Sequence, residues 1–203
     1  IMKEGLLSIV KFFCFLLIIP LIAACALSFE SYLLVLPAIK LHCLYWGAGI
    51  FVAFFLFLYH FQEVYQGGQG VVVKLIGLLG PAAAPVSLVL PVYGIVLICL
   101  YLILNVLGLA ARYEGYLLLI ISFSLVMHLV LVARQLYDED GGPLKANYLL
   151  SFGVAFMANL CIFVLLLKLV IPECTVAAFF KSFLAHATSY YQYIYKLLFV
   201  SPS

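Results

Sequence analysis

Apolar runs long enough to cross a bilayer recur throughout this chain, and that feature decides what it can fold into. Residues 115–137 show it best: GYLLLIISFSLVMHLVLVARQLY carries no formal charge until Arg134. A bilayer's hydrocarbon core is about 30 Å thick, and a helix needs about 20 residues to cross it. Inside it every backbone N–H and C=O must pair within the protein, so only helices and closed barrels span. The runs here are continuous rather than ten-residue alternations, which selects helices. Composition agrees, with 68% apolar and 9% charged residues, where soluble chains average about a quarter charged. The expected fold class is all-α, a polytopic membrane protein. A net charge of +2 supplies no field for holding nucleic acid.

Taken in order, the runs predict five transmembrane helices plus a C-terminal amphipathic interfacial helix. Lys3, Lys11 and the apolar stretch after them resemble a signal sequence, and Ile22-Ala23-Ala24-Cys25 matches a lipoprotein cleavage box. Residues 5–28 are nevertheless read as the first span. Residues 29–42 are expected at the interface. The second span, 43–66, opens on the aromatic anchor Tyr45-Trp46 and stops at Gly67-Gly68-Gln69-Gly70. Residues 71–85 are broken by Gly77, Gly80, Pro81 and Pro85 and read as an interfacial approach to the third span, 86–110. Pro91 implies a kink early in that span. A tight turn at Ala111–Glu114 leads to the fourth span, 115–137, and the polar loop from Asp138 to Pro143 leads to the fifth, 146–171. Residues 1–173 thus form one bundle. The tail, 174–203, mixes aromatics with Lys181, His186, Gln192 and Lys196 and suits a helix in the headgroup plane, with a sixth span as the alternative. Lys and Arg divide five against five between the two sides, so charge sets no orientation. The cysteines at 14, 25, 43, 99, 161 and 174 show no ligand spacing.

Activity must come from binding a partner or from polar groups within the spans, where an ionisable side chain is costly and faces an interior, a cavity or a cofactor. His60 and His128 lie on even-numbered spans, so their helices run the same way. His60 precedes its glycine stop by seven residues and His128 precedes Asp138 by ten. At about 1.5 Å per residue the depths agree within roughly a turn. Two imidazoles so placed are what bis-histidine haem ligation needs. The plainer reading is that each bonds a neighbouring carbonyl or carboxylate. Glu63, three residues after His60, would share its face and offers a proton relay or half a metal site. Gln135, seven residues after His128, faces the same side. Arg134 suits a haem propionate, a quinone or a snorkelling anchor. Asn105 and Asn159 suit helix bridging, and His42 and His186 receive no role.

Five spans, a His late in the second and another in the fourth resemble the single-chain cytochrome b anchors of succinate dehydrogenase and fumarate reductase. IFVAFFLFLYHFQEVY is similar to their second span, and in HLVLVARQLYDED the order His128, Arg134, Glu139 is similar to a family pattern. The resemblance covers roughly 43–66 and 115–171. It implies one haem b held by His60 and His128, with Arg134 and Gln135 beside it. It also implies a quinone pocket near Tyr65, Arg134 and Tyr137, a docked iron–sulfur partner, and an energy-coupling membrane (bacterial cytoplasmic or organellar inner). The two-haem members also need a His in the first and third spans, which this chain lacks. Val64 and Val132 stand where such members often carry Gly four residues after a ligand.

Three functions follow as expectations. The first is a membrane-anchor subunit of a quinone-linked respiratory oxidoreductase, with other membrane or peripheral subunits and lipid as partners and no catalysis of its own. The second is a cofactor-free structural or assembly subunit of a larger membrane complex. The third is a small proton or metal transporter using His60, Glu63 and His128; the chain's lack of internal repeats counts against it.

Overall fold

The computed structural model describes residues 2–57, 67, 70, 74, 86, 88–140, 145–173 and 175–199. Among them are six helices: α1 Met2–Leu33, α2 Ala38–Phe57, α3 Val92–Val106, α4 Ala110–Glu139, α5 Ala146–Val170 and α6 Val176–Phe199. Four of these (α1 from Leu6, α2, α4 and α5) are long and apolar enough to cross a membrane.

Boundaries differ from expectation where local backbone chemistry intervenes. α1 continues to Leu33 rather than ending at 28, and α2 starts at Ala38, directly after Pro37, so most of the expected interfacial stretch is helix. The described part of the second span ends at Phe57; its remainder, with His60, Glu63 and Tyr65, lies outside the described residues. The third span is interrupted where expected: Val86, Leu88 and Val89 are helical, the helix breaks at Leu90-Pro91, and Pro91 caps α3, a helix of 15 residues. It ends at Val106, short of the expected 110. It stops because Gly108 takes a left-handed φ of 72°, with Gly108 N–H donating to Asn105 C=O and Leu109 N–H to Leu104 C=O. That bond pair is the Schellman stop, which favours glycine at this position. The turn therefore falls at 107–109, and Ala111–Glu114 belong to the first turns of α4.

The helices pack in two parallel pairs. Cys43, Gly47 and Phe51 of α2 meet Gly115, Leu119 and Phe123 of α4 at constant offset, so the two run the same way. A Cβ on Gly47 would overlap the Leu119 carbonyl oxygen and stand 3.0 Å from Ser122 Cβ. The missing side chain lets Ser122 Oγ donate to Leu44 C=O at 2.6 Å. In the second pair, Lys11 Nζ reaches Asn147 Oδ1 at 2.5 Å, Gly153 lies against Ile18 and Ile22, and Tyr32 Oη donates to Val164 C=O at 3.0 Å. α1 and α5 are therefore parallel too. Their interface brings the free thiols of Cys25 and Cys161 together.

α6 packs lengthwise on α1. Phe179 stacks edge-on to Tyr32, while Tyr191 Oη donates to Leu17 C=O at 2.7 Å. Contacts at both points mean that α6 runs antiparallel along α1 for about 20 Å, at about 1.5 Å per residue. A helix lying flat under the bundle would meet α1 once. The Tyr191 bond falls beside Pro20, which sits inside α1 and leaves the Leu16 carbonyl without a helical donor.

Gly47→Ala should disrupt the α2–α4 contact and cost about 1–3 kcal/mol, the usual penalty of overpacking. Gly49, with no atom of the described residues within 4 Å of its would-be Cβ, is the control: Gly49→Ala should stay within about 0.5 kcal/mol of the parent. Unfolding of the two variants in detergent, monitored by helical circular dichroism, checks both.

Candidate functional site

His128 lies in the middle of α4, whose buried face includes Leu125, Leu131 and Val132. The imidazole is 5% exposed and lies within hydrogen-bonding reach of the Leu88 carbonyl and the Asn159 side chain. Asn159, fully buried on α5, donates through Nδ2 to Ala155 C=O at 2.9 Å and to Leu88 C=O at 3.3 Å. One imidazole, one amide and one carbonyl thus tie α4 and α5 to the segment ahead of α3. Asn159 bridges helices as expected; Asn105 is exposed near the end of α3.

Among the described residues, Arg134, Gln135 and Tyr137 are not gathered around this cluster. Arg134 stands 3.9 Å from Asp138, and Gln135 donates to Glu139 at 2.8 Å, both one turn along α4. Tyr137 packs edge-on to Tyr148 at 5.3 Å, with Lys145 Nζ 4.2 Å above its ring. Arg134 to Tyr137 lie six to nine residues past His128, about 9–14 Å along the axis. Their roles here are in the α4–α5 turn. Lys145 Nζ donates to the Tyr137 and Asp140 carbonyls at the end of α4, while Asp140 Oδ2 accepts from Tyr148 N–H at 2.9 Å and caps α5. Cation at the C-terminus and carboxylate at the N-terminus is the arrangement the helix dipoles favour.

The space flanking His128 bears on the haem expectation. Val132, one turn on, is fully buried in a cluster with Phe51, Met127, Leu131, Leu136 and Ala155. A porphyrin needs an open slot beside its ligand, so these residues do not fit one on that face. His60 and Tyr65 lie outside the described residues.

A second polar assembly, which the sequence reading missed, sits at the opposite end of the bundle. Lys40 Nζ, on the first turn of α2, lies 2.9 Å from Glu114 Oε1 of α4 and 3.0 Å from Glu173 Oε1 of the α5–α6 turn. Its side chain is 15% exposed. One ammonium therefore joins three parts of the chain. Glu173's own backbone N–H, and then Lys40, hold the Glu173 carboxyl below the usual carboxylate range.

No family model, curated protein or solved structure matches this chain.

A depressed carboxyl pKa means that the folded form binds its proton more weakly than the unfolded chain. Glu173 therefore stabilises the fold above its unfolded value of about 4.3, and that contribution disappears as pH falls through the lower folded value. The thermal midpoint of Glu173→Gln should lie below the parent's at neutral pH and converge with it as pH falls through the folded value. At the other end, Asp140→Ala should cost about 1 kcal/mol through loss of the α5 cap.

Proposed function

We propose that this protein is an integral-membrane subunit of a larger membrane protein complex and works by holding other chains rather than by chemistry of its own. The observation that carries this reading is the polar stripe on α6. Phe179, Phe183 and Ala187 turn toward the bundle, while Lys181, Thr188, Gln192 and Lys196 follow one outward-facing line at helical spacing. α6 runs beside α1, a helix apolar enough to span, so this stripe passes through the depth of the bilayer. Lys181 and Lys196 sit toward the two ends, where long side chains snorkel to water. Thr188 and Gln192 lie between them, where a polar group facing acyl chains is costly and a hydrogen-bonding helix of another chain is the economical cover. Native electrophoresis of the tagged chain from its own membranes should show a complex, and Thr188→Val/Gln192→Leu should release the chain from it while leaving its helix content unchanged. A parent chain that migrates alone, or a variant that stays bound, removes this reading.

The second reading is the haem b anchor of a quinone-linked respiratory oxidoreductase of the succinate dehydrogenase type, in an energy-coupling membrane. The observation that favours it is the parallel course of α2 and α4, which the pairing of His60 with His128 requires. The closed flank at Val132 stands against it. A reduced-minus-oxidised spectrum decides: a b-type band abolished by His128→Ala supports the anchor, and a flat spectrum from haem-supplied protein sinks it.

A further inference from the structure

Beside the ionic assembly lies a recess of about 210 Å³ between the end of α1 and the start of α6. Six of its lining residues carry oxygen: Ser28, Ser31, Tyr32, Glu173, Thr175 and Ser182. Ser28 is fully buried, and among the described residues its Oγ has no hydrogen-bond partner. A helical serine ordinarily gives its proton to a carbonyl one turn back, as Ser31 does to Leu27 C=O at 2.9 Å. A buried hydroxyl without a partner costs stability, so its place in a polar recess asks for an occupant.

The chemistry of that occupant follows from how the protons are spent. Ser31 gives its hydroxyl proton to Leu27 and Tyr32 gives its to Val164 C=O. Both therefore offer the recess only lone pairs. An ionised carboxylate is acceptor-only, with two oxygens and about four lone-pair sites, and in Glu173 Lys40 and the residue's own backbone N–H use part of that capacity. Charge points the same way: Glu173 is the one charged side chain among the described lining residues, while Lys40 and Lys168 act on it from outside the recess. No lysine, arginine or histidine is among the described residues that line the recess. An anion is thereby disfavoured and a cationic donor favoured. At roughly 30 Å³ of liquid volume per water molecule, the space takes a small polar group. It lies at the level of the Lys40–Glu114–Glu173 charges, where a lipid headgroup would sit.

We propose that this recess binds a small primary ammonium group, presented by an ethanolamine lipid headgroup or by a free amine. Its N–H donors would be accepted by Ser28, Glu173 and the flanking hydroxyls, and its charge would face the Glu173 carboxylate that lines the recess.

The test uses the full chain in detergent and three probes: phosphatidylethanolamine, phosphatidylcholine and free ethanolamine. The choline headgroup carries the same charge but no N–H. Native mass spectrometry after delipidation should find phosphatidylethanolamine retained about tenfold over phosphatidylcholine, with about tenfold loss of retention in Glu173→Gln, the scale of one charged hydrogen bond. Ser28→Ala should weaken retention while its thermal midpoint without lipid equals or exceeds the parent's, because it removes an unpartnered buried hydroxyl; that variant keeps the test independent of folding. If free ethanolamine raises the thermal midpoint of lipid-free protein, and does not do so in Glu173→Gln, the ammonium site stands with a free amine as its source. Equal retention of the two lipids with no response to ethanolamine overturns the proposal. So does binding that neither substitution changes.

Discussion

Two apolar helices in lipid gain little from burying each other's leucines, because acyl chains are just as apolar. What holds such a bundle is close packing and polar links, and this chain places both at a few positions. Gly47 brings α2 onto the Leu119 backbone, and only that approach lets Ser122 reach the Leu44 carbonyl. Tyr32 does the equivalent between α1 and α5. His128 and Asn159 secure the middle of the bundle. Lys40 gathers one end of it.

These links explain how much of the molecule was legible beforehand. Helices in lipid are demanded by the solvent, so the apolar runs at α1, α2, α4 and α5 announced themselves. The fifth run, 146–171, was placed to within a residue because Pro172 and the polar loop before it bound it on both sides. The α3–α4 turn was misplaced because Gly108 is one glycine in an apolar stretch, and its meaning lies in a left-handed φ that composition does not display. α6 was laid in the headgroup plane on the strength of its polar residues. Its contacts with Tyr32 and Leu17 are tertiary facts.

The site was legible unevenly. His128 stood out because an imidazole in a 20-residue apolar run is rare, and Asn159 for the same reason. Arg134, Gln135 and Tyr137 shared His128's helix, which made them look like its neighbours. Distance along the axis and the demands of the α4–α5 turn engage them elsewhere. Lys40, Glu114 and Glu173 were readable in principle, since a five-span topology puts all three at one side. Each taken singly looks like an ordinary boundary charge. Ser28 had no signal at all: a serine in a helix becomes informative only when its proton has nowhere to go.

The course of α6 beside α1 also bears on how the protein is made. α1 is apolar enough to enter a bilayer as soon as it is synthesised, whereas α6 is not among the helices that composition alone would carry across. Its place beside α1 rests on docking: Phe179 against Tyr32, and Tyr191 onto the backbone beside Pro20. The first helix described thus waits, one flank uncovered, until the last one is made. The placing of α6 is a folding step rather than a partitioning step, and it joins segments from opposite ends of the described chain.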